Sequence, residues 1–213
     1  RLRAIVRNSA RQYGMTHIED ESGANINVQI FDTAKYVDNE LGSQISDVDD
    51  TNKPVIVVMD YAFGEQAYET MDELLKPYIN DGGVKTHMNV KSISIMGKAG
   101  ILEGGKGDIM IPSAHVFEGT ADNYPFDNQL IKEQLEGNGI AIYDGAMITV
   151  LGTSLQNRDI LKFFHESTWN VIGLEMEGAH YQKAIQSASK LRGSISPDVI
   201  VRYAYYASDN PLE

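Results

Sequence analysis

Apolar and polar positions follow two rhythms along this chain. Ile26 to Phe31 (I-N-V-Q-I-F) repeats with a period of two and predicts a strand. Leu2 to Tyr13 predicts a helix. Asp38 to Lys53 is polar and acid-rich, a solvated loop or short exposed helix; its acids lack the fixed spacing of a calcium loop. Pro54 then introduces Val55 to Met59, a continuous apolar run. Such a run predicts a central strand covered on both faces. Asp60 to Gly64 reads as a turn. Beyond it Ala67, Met71, Leu74, Leu75 and Tyr78 recur at helical spacing, with Pro77 near the end and Asp81-Gly82-Gly83 as the stop.

The strand-turn-helix unit recurs. Val90 to Met96 predicts a strand running into Gly97-Lys98-Ala99-Gly100, and Asp108 to Pro112 another. Leu130 to Leu135 lies in a helical stretch ended by Gly137-Asn138-Gly139. Ile140 to Tyr143 and Ala146 to Leu151 give one or two strands around Asp144-Gly145. Arg158 to Glu166 predicts a helix, Val171 to Leu174 a strand, Glu177 to Leu191 a helix and Val199 to Tyr206 a last strand. Alternating strands and helices predict an α/β fold: one domain over residues 1–213, with a mixed central sheet flanked by helices. The chain opens on Arg1 and stops soon after an apolar strand, so the expectation is a domain truncated at one or both ends.

Ligands of open α/β sheets bind beyond the carboxyl ends of strands. Those ends here carry Asp60 to Gly64, Gly97 to Gly100, Glu175 to Glu177, and Ser208-Asp209-Asn210. Steps of three and four from Glu177 reach Tyr181, Ala184, Ile185, Ala188 and Leu191, so Glu177 heads the apolar stripe of its helix. It either stabilises the helix N-terminus or faces a cavity, where its carboxylate could accept hydrogen bonds from a polyol such as ribose. Glu175 lies off that stripe and serves the turn. Asp209 either caps a helix or acts as a general acid, with a pKa raised by partial burial. Gly97 to Gly100 is either a tight turn or a place where backbone amides approach an anion. It completes neither a Walker A loop nor a dinucleotide fingerprint. Gly104 to Gly107 reads as a turn. His115 falls in a loop after a strand and could line a site, while His180, next to Tyr181 on its helix, either supports a site from behind or is structural. The five histidines have no metal-ligand spacing, so no metal is expected.

Composition narrows the partners. The 213 residues carry a formal charge of −12, which disfavours nucleic acid. There is no cysteine, which excludes disulfides and thiolate chemistry and fits a cytoplasmic protein. No apolar stretch approaches the ~20 residues that span a bilayer, so no membrane partner is expected.

Three strand ends together carry a resemblance. S-I-S-I-M-G-K-A-G followed by G-D-I-M-I-P, then G-L-E-M-E-G-A, then Y-A-S-D-N-P resemble the nucleoside phosphorylase and nucleosidase superfamily over about Pro54 to Pro211. The resemblance implies a phosphorylase/hydrolase-like α/β fold and cleavage of the N-glycosidic bond of a purine nucleoside or nucleotide. It implies that Glu177 binds the ribose hydroxyls, that Met176 packs on the sugar, and that Asp209, beside Ser208, protonates the leaving base. Gly97, Lys98 and Gly100 would border the nucleophile side of the ribose. Thr149 to Asn157, with Thr153 and Ser154, would build the base pocket. The family's hexameric phosphorylases have an arginine where this chain has Ile95, which favours hydrolysis over phosphorolysis. Lys98 stands where several branches have serine, and could hold phosphate as a co-substrate. The implied partner is a small nucleoside or nucleotide, with no other cofactor, in a homo-oligomer. The alternatives are a phosphate-dependent phosphorylase and a sensing domain without turnover.

Overall fold

The structure, a computed structural model, describes residues 2–35, 53–152 and 157–213. It falls into two compact units, Arg1–Ala62 and Phe63–Glu213.

In the first unit, helix α1 (Leu2–Gln12) precedes three strands, β1 (Met15–Ile18), β2 (Val28–Asp32) and β3 (Val55–Met59). They form an antiparallel sheet in the order β1-β2-β3. The turn between β1 and β2 is built on Asp20, whose carboxylate accepts from the Ser22 and Asn25 amides. Asn25 sits at φ 59, where asparagine is tolerated better than most residues. The sequence places β3 in the middle of a covered sheet. Instead it is an edge strand of this unit, paired with β2 alone among the described residues, and Val55 to Val58 are exposed. An apolar run fixes the extended backbone but not what covers it. Most of the acidic stretch from Asp38 to Lys53 lies outside the described residues.

The second unit is α/β with a mixed central sheet flanked by helices. Its strands are β6 (Ser92–Ile101), β7 (Ile109–Phe117), β8 (Asn123–Pro125), β9 (Ile142–Thr149), β10 (Val171–Glu175) and β11 (Ile200–Asp209). The order is β11-β6-β10-β9-β7-β8, and β11 also pairs with β7, so five of the strands close into a ring. Pairs β11–β6, β10–β9 and β9–β7 are parallel; β10–β6, β7–β8 and β11–β7 are antiparallel. Helix α2 (Gln66–Leu74) packs on α4 (Gly178–Gln186), and α3 (Arg158–Glu166) packs on β10. The Asn157 side chain caps α3, accepting from the amides of Asp159 and Ile160. Between the sheet and α3 lies a core of Leu102, Val116, Ile148, Val150, Leu161 and Leu174.

Several local expectations change. The helix through Tyr78 stops at Leu74; Tyr78–Ile79 (β4) pairs instead with Lys85–Thr86 (β5). Leu130 to Leu135 holds only a three-residue 3-10 turn, Lys132–Gln134. Asp144 and Gly145 interrupt nothing: β9 runs through both. Gly145 is needed there, because a Cβ would meet the Asn170 carbonyl oxygen at 2.4 Å. Helix α4 keeps its predicted stripe through Ala188, but Leu191 is exposed. The cause is a π turn over Ser187–Leu191, where the Arg192 amide donates to the Ser187 carbonyl at 2.8 Å. The extra residue per turn rotates the stripe away from the core.

Candidate active site

Strand β10 delivers Glu175 at its last position, and α4 starts three residues later at Gly178. The first amides of a helix lack partners within it. Here the strand acid supplies them. Glu175 is fully buried; its Oε2 accepts from the Glu177 amide at 2.6 Å and from the Gly178 amide. Its Oε1 accepts from the Thr149 hydroxyl, which itself accepts from the Ala179 amide at 2.9 Å. Glu175 and Thr149 thus satisfy three consecutive backbone donors from inside the protein.

Glu177 is left without that task. Its side chain makes no capping bond to α4 although it occupies the capping position. Its Oε1 accepts from the amide of Gly64, just before α2, at 2.9 Å. Burial raises its pKa, partly offset by the Gly64 and Met176 amides. A buried carboxylate with spare acceptor sites calls for a donor-rich ligand. Of the two readings for Glu177, the helix-stabilising one therefore passes to its neighbour.

Burial also pushes the Glu175 carboxyl from 4.5 up to about 7, against the pull of its three donors. A group held above its unfolded pKa contributes stability that is complete below the unfolded value and lost as pH rises through the folded one. In Glu175→Gln the amide imitates the protonated acid and does not titrate. The stability difference between wild type and this variant should therefore move against the wild type from about pH 4.5 to 7. Urea titrations across that range test it; a difference independent of pH would mean that Glu175 is already ionised throughout.

Of the other predicted residues, Asp209 and Gly100 fall in one row of the sheet. Asp209 pairs in register with Gly100, and Gly100 with Leu174, the residue before Glu175. Two strand spacings, about 10 Å, separate the outer members of that row. A bulge between Ala207 and Asp209 re-aims the strand end. Ser208 Oγ lies 3.2 Å from the Ala99 carbonyl oxygen and also reaches Asp209 Oδ1. Asp209 is exposed, not partly buried, and it ends β11 rather than standing in a turn beyond it. Gly97 to Gly100 is likewise not a turn but strand: β6 continues to Ile101, with Gly97 opposite Tyr205 and Lys98, exposed, opposite Tyr206. Met176 is half-buried and packs against the edge of the core; its methyl lies 3.8 Å from where a Gly152 Cβ would stand. Thr153 and Ser154 lie outside the described residues.

His115 is not in a loop. It sits inside β7, fully buried. The sequence placed Thr149 at the start of the base-pocket stretch and Gly64 in a strand-end turn; it did not show that Thr149 helps cap α4 or that the Gly64 amide meets Glu177. His180 packs edge-on against Phe117, with ring centroids 4.7 Å apart. Among the described residues, no group of three or more His, Cys, Asp or Glu could hold a metal ion, and no helix is long and apolar enough to cross a membrane.

A sequence profile described as a family of unknown function, DUF6909, matches residues 2–213. The chain belongs to that family. No curated protein matches it in sequence. Solved structures share the fold of this DUF6909 chain. The S-adenosylhomocysteine nucleosidase of Streptococcus pyogenes, in complex with 5-methylthiotubericidin, superposes with a TM-score of 0.61 at 14% identity, over 97% of this chain and 79% of that one. AMP nucleosidase from Bacteroides thetaiotaomicron gives 0.55 at 14% identity, over 99% and 76%. Futalosine hydrolase from Helicobacter pylori gives 0.59 at 14% identity, over 92% and 78%. The DUF6909 chain thus has the fold seen in these two nucleosidases and this hydrolase.

Proposed function

We propose that this protein hydrolyses the N-glycosidic bond of a purine nucleoside or nucleotide, releasing the free base and a ribose or ribose phosphate. The observation that carries the reading is the release of Glu177 from helix capping, which leaves a buried carboxylate for the sugar hydroxyls. Three nucleosidases or hydrolases with this fold support it.

Bond cleavage builds positive charge on the sugar and negative charge on the base. The Glu177 carboxylate holds the ribose and offsets the first. Asp209, with Ser208 beside it, delivers a proton to the departing base. Met176 lies under the sugar, and Gly97, Lys98 and Gly100 border the side from which water adds to the anomeric carbon. Ile95 is buried and apolar, so no cation stands at that place to hold a phosphate nucleophile.

The test is incubation with AMP, adenosine, 5′-methylthioadenosine, S-adenosylhomocysteine and futalosine, with and without phosphate. Base should appear at the same rate in both conditions. Base formed only with phosphate would assign phosphorolysis, with Lys98 as its anchor. Binding without base would assign a sensing domain, and neither binding nor base would remove the reading. Leu151, Phe163 and Trp169 are exposed on the second unit, which supports assembly into a homo-oligomer. The absence of cysteine supports a reducing, cytoplasmic setting.

A further inference from the structure

Beneath the start of α4 lies a polar pair that the chemistry above does not use. His115 Nε2 and the Tyr205 hydroxyl share a hydrogen bond of 2.9 Å. His115 lies on β7 and Tyr205 on β11; in the pairing of these strands Tyr205 stands opposite Met110, so the two side chains meet across the sheet rather than as register partners. His115 is stacked on Phe126 at 5.3 Å, nearly parallel, and lies 4.7 Å from the Tyr203 ring. Burial pushes the imidazole down to about 3, so it is neutral, and its Nδ1 has no hydrogen-bond partner among the described residues. Leaving a buried ring nitrogen unpaired is a standing cost. Apolar rings of the same size would fill this place without that cost, so packing alone does not explain the pair.

What the pair touches is Gly178. A Cβ there would lie 2.3 Å from His115 Cδ2, 2.4 Å from His115 Nε2 and 2.5 Å from the Tyr205 hydroxyl oxygen. Real Cβ contacts of that length do not occur, and the ring cannot swing aside because Phe126 and Tyr203 hold it. The residue before Gly178 is Glu177. The hydrogen-bonded pair thus sets how close the backbone at the start of α4 comes to the sheet. Glu175 pulls that backbone from one side and the pair stops it from the other.

We infer that His115 and Tyr205 are positioning residues, a backstop that fixes the height of the Glu177 carboxylate over the sheet and thereby the affinity for ribose. This inference rests on the proposed role of Glu177. The variants that test it are Gly178→Ala, His115→Ala and the double variant. Gly178→Ala should push the start of α4 outward, break the 2.9 Å contact between the Gly64 amide and Glu177, and raise KM for the cleaved nucleoside. Displacing a positioned group by about 1 Å costs up to ~100-fold, so a rise of at least ~10-fold is expected. Removing the ring in the double variant gives the methyl room. KM should then return to within about threefold of His115→Ala alone, the non-additivity expected of neighbours. If Gly178→Ala does not fold and the double variant does, the backstop is shown by that rescue. A purely structural pair would lower Tm in all three variants without this pattern in KM. The inference is overturned if Gly178→Ala leaves KM and the Glu177 contact at wild-type values, or if His115→Ala relieves neither its KM nor its folding. Should the wild type release no base, the function reading fails on its own. Crystal structures of the same variants then decide the backstop by the position of Glu177.

Discussion

Asp209→Asn should lower the rate of base release by about 10²–10⁴-fold while leaving nucleoside binding nearly unchanged. The substitution keeps the size of the side chain and its reach to Ser208 but removes the transferable proton. Asp209 ends β11 in the sheet row that leads through Gly100 to β10, so it faces the same strand-end region as Glu177 from the other side. In this structure the carboxyl is exposed. A purine laid against it would bring the leaving base within reach of the acid. Single-turnover measurements of base release, with Kd measured separately, check the split between chemistry and binding. An unchanged single-turnover rate would move the proton donor elsewhere.

Glu175→Ala should cost on the order of 3 kcal/mol or more of folding stability, because two backbone amides and the Thr149 hydroxyl lose their shared acceptor at a buried site. Each buried donor left unpaired costs roughly 1–3 kcal/mol. The midpoint of urea unfolding measures the loss. Glu177→Ala, by contrast, opens one contact to Gly64 and should cost about 1 kcal/mol, while abolishing ribose binding. Equal losses of stability for the two alanine variants would contradict the division of labour between the acids.

That division was partly legible in the sequence. Helical spacing placed Glu177 on the apolar stripe and Glu175 off it, and both hold in the structure. The spacing could not show that Thr149, 26 residues before Glu175, completes the cap, because the pairing of β9 with β10 brings them together. Strand and helix alternation gave the α/β class through β10, α4 and β11. It failed where local signals meet tertiary ones. Gly97 and Gly100 look like turn residues, yet β10 and β11 pair with that stretch and hold it extended. Val55 to Met59 looks like a central strand, but apolar residues form strands whether or not a layer covers them. His115 carried no sign of burial, since a polar residue among small and apolar neighbours reads equally as a loop. Its place depends on Phe126 and on Tyr203 and Tyr205, the last two far away in sequence.

The cap built from Glu175 and Thr149 has a consequence for how such a site can change. A functional acid that also held its helix together could not be replaced without unfolding the protein. Because the strand carries the structural duty, position 177 is open to exchange. The same scaffold could accept Gln, Ser or His there, and with them ligands that lack a ribose, while α4 stays where Glu175 puts it.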